Sequence, residues 1–147
     1  MSIIFGVSAE DGRQIEVREL EALARATERY APDGTWLRTA GNTGMGYQPY
    51  HTHGRSRLEK QPANDERGWM LSLDGRLDNH KELCSLLGLD GRESADSEIV
   101  LAAFARWGED CFTRMVGDWA LALWSEIDHV LYLARDHART RTQRKVP

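Results

Sequence analysis

Apolar and polar positions alternate in blocks along the chain, and the first block is apolar. Residues 2–8, Ser-Ile-Ile-Phe-Gly-Val-Ser, predict a buried strand that starts at the N-terminus itself. Chain ends fray unless something pins them, so a strand there is unusual. Leu20, Leu23, Ala24, Thr27 and Tyr30 recur at helical spacing and predict a helix over 16–30, stopped by Pro32 and Gly34. Residues 35–58 read as short strand pieces broken by Gly41, Gly44, Gly46, Pro49 and Gly54, and 59–68 as an exposed loop. Trp69 to Leu73 is the next strand, ended by Asp74-Gly75 as a turn. Asn79, with Glu82 three residues on, resembles a capping box and opens a helix through Leu87 that Gly88 closes. A second helix spans 96–107, with Ile99, Val100, Ala103, Phe104 and Trp107 on one side and Gly108 after it. Trp119 to Trp124 and Val130 to Ala134 do not alternate, so they read as strands covered on both faces, joined as a hairpin across Ser125 to Asp128. This order has no βαβ alternation and no repeat, which favours an α+β layered fold.

The 147 residues fit a single domain, and a chain of that length folds without disulfides or metal. A net charge of −4 argues against a general nucleic-acid binder. Arg139, Arg141, Arg144 and Lys145 make the last nine residues basic, and 139–147 reads as a disordered tail without strand character. No apolar run is long enough to cross a bilayer, and residues 1–6 have no basic stretch ahead of their apolar residues. Cys84 and Cys111 read as buried, reduced, inert thiols, and the expected location is the cytoplasm. His51 and His53 lack carboxylate or thiolate neighbours in the sequence and read as surface residues, so no metal site is expected.

Several motifs in order carry a resemblance. They are Met1-Ser2-Ile3-Ile4-Phe5-Gly6, Gln61-Pro62, Asp74-Gly75-Arg76-Leu77-Asp78-Asn79, Ala95-Asp96-Ser97-Glu98-Ile99-Val100, Trp107-Gly108, Val116-Gly117-Asp118-Trp119-Ala120 and Arg135-Asp136. Together they resemble the class II glutamine amidotransferase domain of the asparagine synthetase family, over residues 2 to about 136. The motifs are most similar to the cysteine-less lasso-peptide cyclase and β-lactam synthetase side of that family. The resemblance implies a four-layer αββα N-terminal-nucleophile sandwich of two antiparallel sheets. It implies ammonia release from glutamine by the first residue after Met removal, whose own α-amine acts as base.

The same resemblance marks three departures. Ser2 stands at the nucleophilic cysteine position and is a weaker nucleophile near neutral pH. Asp74 replaces an asparagine whose amide donates to the oxyanion beside the N–H at Gly75, and an ionised carboxylate has nothing to donate. Gln48 falls where, by spacing from Gln61, an arginine grips the glutamine α-carboxylate; Arg55 and Arg57 downstream are not assigned that role. Asp96, which the resemblance assigns to the α-ammonium, is retained and also suits a helix N-cap.

The expectation is an amidotransferase-like domain over 1–138 of an ATP-dependent amide-forming ligase, of asparagine synthetase or lasso-peptide macrolactam synthetase type. It is expected to lack glutaminase activity and to bind glutamine weakly or not at all. No cofactor is expected in this chain; ATP and Mg²⁺ belong to a synthetase domain whose Ser-Gly-Gly-x-Asp-Ser loop these residues do not contain. The alternatives are an active glutaminase using Ser2 and a stand-alone scaffold that docks on a synthetase partner. Arg139 and Thr142 depart from the family's continuation, so the sandwich is expected to be truncated, leaving an open sheet edge prone to homodimer formation.

Overall fold

The computed structural model describes residues 2–136 and the backbone of 144–146. Its strands are β1 Ile3–Ser8, β2 Trp36–Ala40, β3 Thr43–Gln48, β4 Ala63–Asn64, β5 Trp69–Leu77, β6 Gly117–Ser125, β7 Val130–Arg135 and β8 Arg144–Val146. Its α-helices are α1 Val17–Thr27, α2 His80–Leu87, α3 Asp96–Trp107 and α4 Cys111–Arg114. The strands form two antiparallel sheets, one ordered β1-β3-β2 and the other β4-β5-β6-β7-β8. Helix α1 covers the outer face of the first sheet, and α2 to α4 cover the outer face of the second. This is the four-layer αββα order.

Strand alternation sets what each layer holds. On β3, Gly44 and Gly46 lie under α1: a Cβ on Gly44 would press on Leu20 and Ile15, and the Phe5 ring lies across Gly46. Met45 and Tyr47 therefore face the second sheet. On β5 and β6, Leu71, Leu73, Leu77, Trp119, Leu121 and Leu123 pack under the helices with Ile99, Phe104 and Phe112. Met70 and Trp124 point the other way and meet Met45 between the sheets. The Trp124 indole N–H donates to Ala40 C=O at 3.2 Å, tying one sheet to the other.

Several elements differ from their sequence reading. β1 is not the buried strand expected: among the described residues it is a half-exposed edge, with Gly6 and Ser8 exposed. Its apolar residues serve α1 on one side and an open gap on the other. Asp74-Gly75 is no turn, because β5 stays paired to β6 as far as Leu77↔Gly117. Gly75 makes this possible. Its φ is +136°, and a Cβ would collide with the backbone of Asp118 and Trp119. The Asn79 side chain caps no helix; it accepts from Val116 N–H and donates to Arg114 C=O. Arg144–Val146 pair with β7, against the expectation of no strand character there. Residues 137–143 and 147 lie outside the described residues.

Candidate functional site

The strongest cluster of polar groups sits where the starts of β1 and β5's end of the second sheet come together. Ser2 precedes β1 on the face that carries Ile4, so its side chain points between the sheets. Its backbone N–H donates to Asp74 Oδ1 at 2.8 Å. Its Oγ accepts from Tyr50 N–H at 3.1 Å and lies 3.4 Å from the Tyr47 hydroxyl. These residues line a polar cleft of about 400 Å³, with Glu59, Gly75 and Asp118 among its walls.

The edge of β5 beside this cleft is completed by side chains. Leu73 N–H donates to Gln61 Oε1 at 2.5 Å, and Gln61 Nε2 returns a bond to Leu73 C=O at 3.0 Å. Leu77 N–H donates to Asp96 Oδ2 at 3.0 Å, and Arg55 donates to Leu77 C=O at 3.0 Å. Trp119, opposite Gly75, donates its N–H to the Asp136 carboxylate at 3.2 Å and accepts the Asp136 N–H at 2.9 Å, both on its far side. By the same alternation Gly75 turns its N–H and C=O outwards between Gln61 and Asp96, towards the cleft. The cleft thus offers a backbone donor, a serine hydroxyl and the carboxylates of Glu59, Asp74, Asp118 and Asp136.

Charge around the cleft is mixed, and burial moves it. Burial raises the Asp74 carboxyl above its ordinary range, and the Ser2 N–H offsets part of that. Burial also raises Glu59, against bonds from Ser97 N–H and Gln61 Nε2. Tyr47 is pushed up to about 12 by burial, so it stays a neutral hydroxyl. His53 is lowered by burial and by Arg55. Arg76 and Arg135 supply positive charge on the wall, Arg76 while paired with Asp78 at 2.8 Å.

The structure brings together Ser2, Asp74 and Gly75 as the sequence expected. It does not bring Gln48 to them. Gln48 is 1% exposed and lies under α1, where its amide meets Ala24 C=O, Thr27 and Thr35. One step of strand alternation separates it from Tyr47, which does face Ser2. Asp96 is the first residue of α3, not its cap; Ala95 holds the cap position. Its carboxylate, 2% exposed, is taken by Leu77 and Arg55.

Sequence reading missed Tyr47, Tyr50, Arg55 and Glu59. The run Glu59-x-Gln61-Pro62 held the one available signal, since a carboxylate two residues from Gln61 joins whatever that side chain organises. Cys84 and Cys111 are buried, with the Cys111 thiol pushed up to about 12 by burial. Among the described residues no group of three or more His, Cys, Asp or Glu could hold a metal ion. No helix among them is long and apolar enough to cross a membrane.

Comparison with known proteins gives the same picture at three levels. The family profile of a glutamine amidotransferase domain matches residues 1–141. The asparagine synthetase (glutamine-hydrolyzing) 1 of Bacillus subtilis is 33% identical over 75 residues, 49% of this chain and 12% of that protein. The amidase chry2 of Gibberella zeae is 28% identical over 131 residues, 86% of this chain and 19% of that protein. The chain therefore spans less than a fifth of the length of these relatives. The glutamine phosphoribosylpyrophosphate amidotransferase of B. subtilis, solved with ADP and GMP, superimposes with a TM-score of 0.69. That alignment covers 92% of this chain and 37% of the neighbour at 15% identity.

Proposed function

The chain belongs to the glutamine amidotransferase domain family, and on that premise we propose that it is an amidotransferase-like domain without glutaminase activity of its own. Its setting is an ATP-dependent amide-forming ligase of asparagine synthetase or lasso-peptide macrolactam synthetase type. One observation carries the reading: Asp74 Oδ1 accepts the Ser2 N–H at 2.8 Å. A carboxylate stands where acyl-transfer chemistry asks for a donor, and it repels the negative charge that develops on a tetrahedral oxygen. If Met1 is removed, the same contact becomes an ion pair between the Ser2 α-ammonium and Asp74. That pair holds the proton on the amine and takes away the free base. The loss of one oxyanion donor typically lowers a rate by about 10²–10³.

Two further features support the reading. Gln48 is committed to the underside of α1, and Asp96 is committed to Arg55, so neither is offered to an amino-acid ligand. The test is incubation of the purified chain with glutamine and measurement of glutamate and ammonia. No release above buffer is expected. A rate that disappears in Ser2→Ala overturns the reading.

A second reading, glutamine hydrolysis by Ser2, has Gly75 in its favour, because that N–H faces the cleft as an oxyanion donor would. The same assay decides between them.

A further inference from the structure

Gly75 interrupts a pattern along the edge of β5. Two residues before it, the Gln61 carboxamide occupies both backbone groups of Leu73. Two residues after it, Asp96 and Arg55 occupy both backbone groups of Leu77. Gly75 turns its own N–H and C=O the same way, and among the described residues neither meets a partner. The edge therefore has one open pairing position between two filled ones. Leu73 and Leu77 are about 13 Å apart along a strand, so about three residues of another chain fit between the caps. Charge at this position is uneven. Glu59 stands beside it, bonded to the Gln61 amide and to Ser97 N–H at the start of α3. Asp74 uses Oδ1 for Ser2 N–H, and Asp118 makes no hydrogen bond or ion pair among the described residues. With Asp136 the cleft wall carries four carboxylates against Arg76 and Arg135, and Arg76 is already paired with Asp78. The cleft, about 400 Å³, is of a size that holds small ligands, about 300–1,000 Å³.

We propose that the cleft binds a short basic peptide. One residue of the peptide exchanges both backbone hydrogen bonds with Gly75, and its two neighbours carry positive side chains to Asp74 and Asp118. The inference rests on the reading that no glutamine is hydrolysed in this cleft, which leaves Gly75 to another ligand. A donor and an acceptor open on one residue ask for an acceptor and a donor spaced as in a strand, which selects a peptide over a simple amine or a metal ion. The caps at Leu73 and Leu77 keep the segment short. Alternation decides which of its residues are basic. A residue opposite Gly75 sends its side chain the way Leu73 and Leu77 send theirs, towards the packed helices, so a small one suits. The residues on either side point the other way, between the sheets, as Asp74 does.

The experiment titrates the isotope-labelled full chain with a tripeptide, lysine-alanine-lysine, acetylated at one end and amidated at the other. Saturation by about 5 mM peptide is expected, with the Gly75 amide signal moving and its exchange slowed. Proline in place of the central alanine removes the N–H offered to Gly75 C=O, and should weaken binding about tenfold or more. Glutamate in place of both lysines should abolish binding, because like charges then meet. Asp118→Asn should weaken binding of the lysine peptide about threefold or more. The peptide controls use the parent chain, so the test decides even if Asp118→Asn folds poorly. No saturation by about 5 mM overturns the proposal, as does movement of distant signals while Gly75 stays still. A proline or glutamate peptide that binds as tightly as the first overturns it too, and so does a folded Asp118→Asn chain that binds unchanged. Glutamine hydrolysis in the separate assay would overturn the catalytic reading, whereas this titration succeeds or fails on the Gly75 signal and the control peptides.

Discussion

Arg55 holds Asp96 with two nitrogens, Nε to Oδ1 at 3.2 Å and a terminal nitrogen to Oδ2 at 3.4 Å. It bonds Leu77 C=O from that same terminal nitrogen. One side chain thus joins the cleft wall around residue 55, the end of β5 and the start of α3. The carboxylate that family resemblance would reserve for a ligand ammonium is already neutralised from within.

The buried carboxylate depends on that partner. Arg55→Met leaves Asp96 uncompensated at 2% exposure. Unfolding in urea should show a loss of about 3–5 kcal/mol. The double variant Arg55→Met with Asp96→Leu should recover a large part of it, because apolar replacement of both partners removes the stranded charge. A loss under about 1 kcal/mol for the single variant would mean that the pair contributes as a surface pair does.

Asp74 gives a pH-dependent prediction. Its carboxyl is raised in the folded chain, chiefly by burial. A raised carboxyl binds its proton more tightly folded than unfolded. Its favourable contribution is therefore full below the unfolded value of about 3.9 and is lost as pH rises through the folded one. Asp74→Asn should accordingly melt higher than the parent at pH 7, and the difference should close towards pH 3. A gap that widens on acidification contradicts the burial argument.

Gly75→Ala should be destabilising by at least about 1–3 kcal/mol, the usual cost of a non-glycine residue in a sparsely populated backbone region. The Cβ would also meet the backbone of Asp118 and Trp119, which cannot swing aside. Denaturant midpoints with an unchanged slope would check this. Ala accepted at parental stability would show that β5 can shift relative to β6 here.

Gln61→Ala should cost more than its lost contacts suggest. The carboxamide satisfies both the N–H and the C=O of Leu73, which is 2% exposed. Leaving buried groups unpaired costs about 1–3 kcal/mol each. Gln61→Glu keeps an acceptor and loses the donor, so its loss should fall between the parent and Ala unless the new charge is itself penalised. Urea titration near pH 5 and pH 7 separates those two contributions.

The fold was legible where local pattern and tertiary role coincide. Leu20 and Ala24 mark the buried stripe of α1, and Ile99, Val100, Ala103 and Phe104 mark that of α3. The hairpin of β6 and β7 was legible as well, with Ser125 Oγ bonded to Asp128 within its turn, but β7 is not covered on both faces as expected, since Leu133 is 39% exposed. Asp74-Gly75 misled because the pair has turn chemistry, while pairing with β6 keeps it extended. In the site, Ser2, Asp74 and Gly75 could be placed by motif. Gln48 could not, because spacing along the chain does not say which face of β3 a residue occupies. Arg55 and Glu59 were hidden because their partners, Asp96 and the Ser97 N–H, lie 41 and 38 residues away.

The two sheets divide the sequence cleanly. Every pairing of the first joins residues within 3–48, and every pairing of the second joins residues from 63 onwards. Each sheet can zip from its own stretch of chain without waiting for the other. The Ser2 to Asp74 contact belongs to neither stretch, since it spans 72 residues. The cleft is therefore a seam between two stretches of chain, and it exists only while the halves are closed together. Two fragments divided in the segment around 54–58 would carry one lip each, and neither would hold the site until they met.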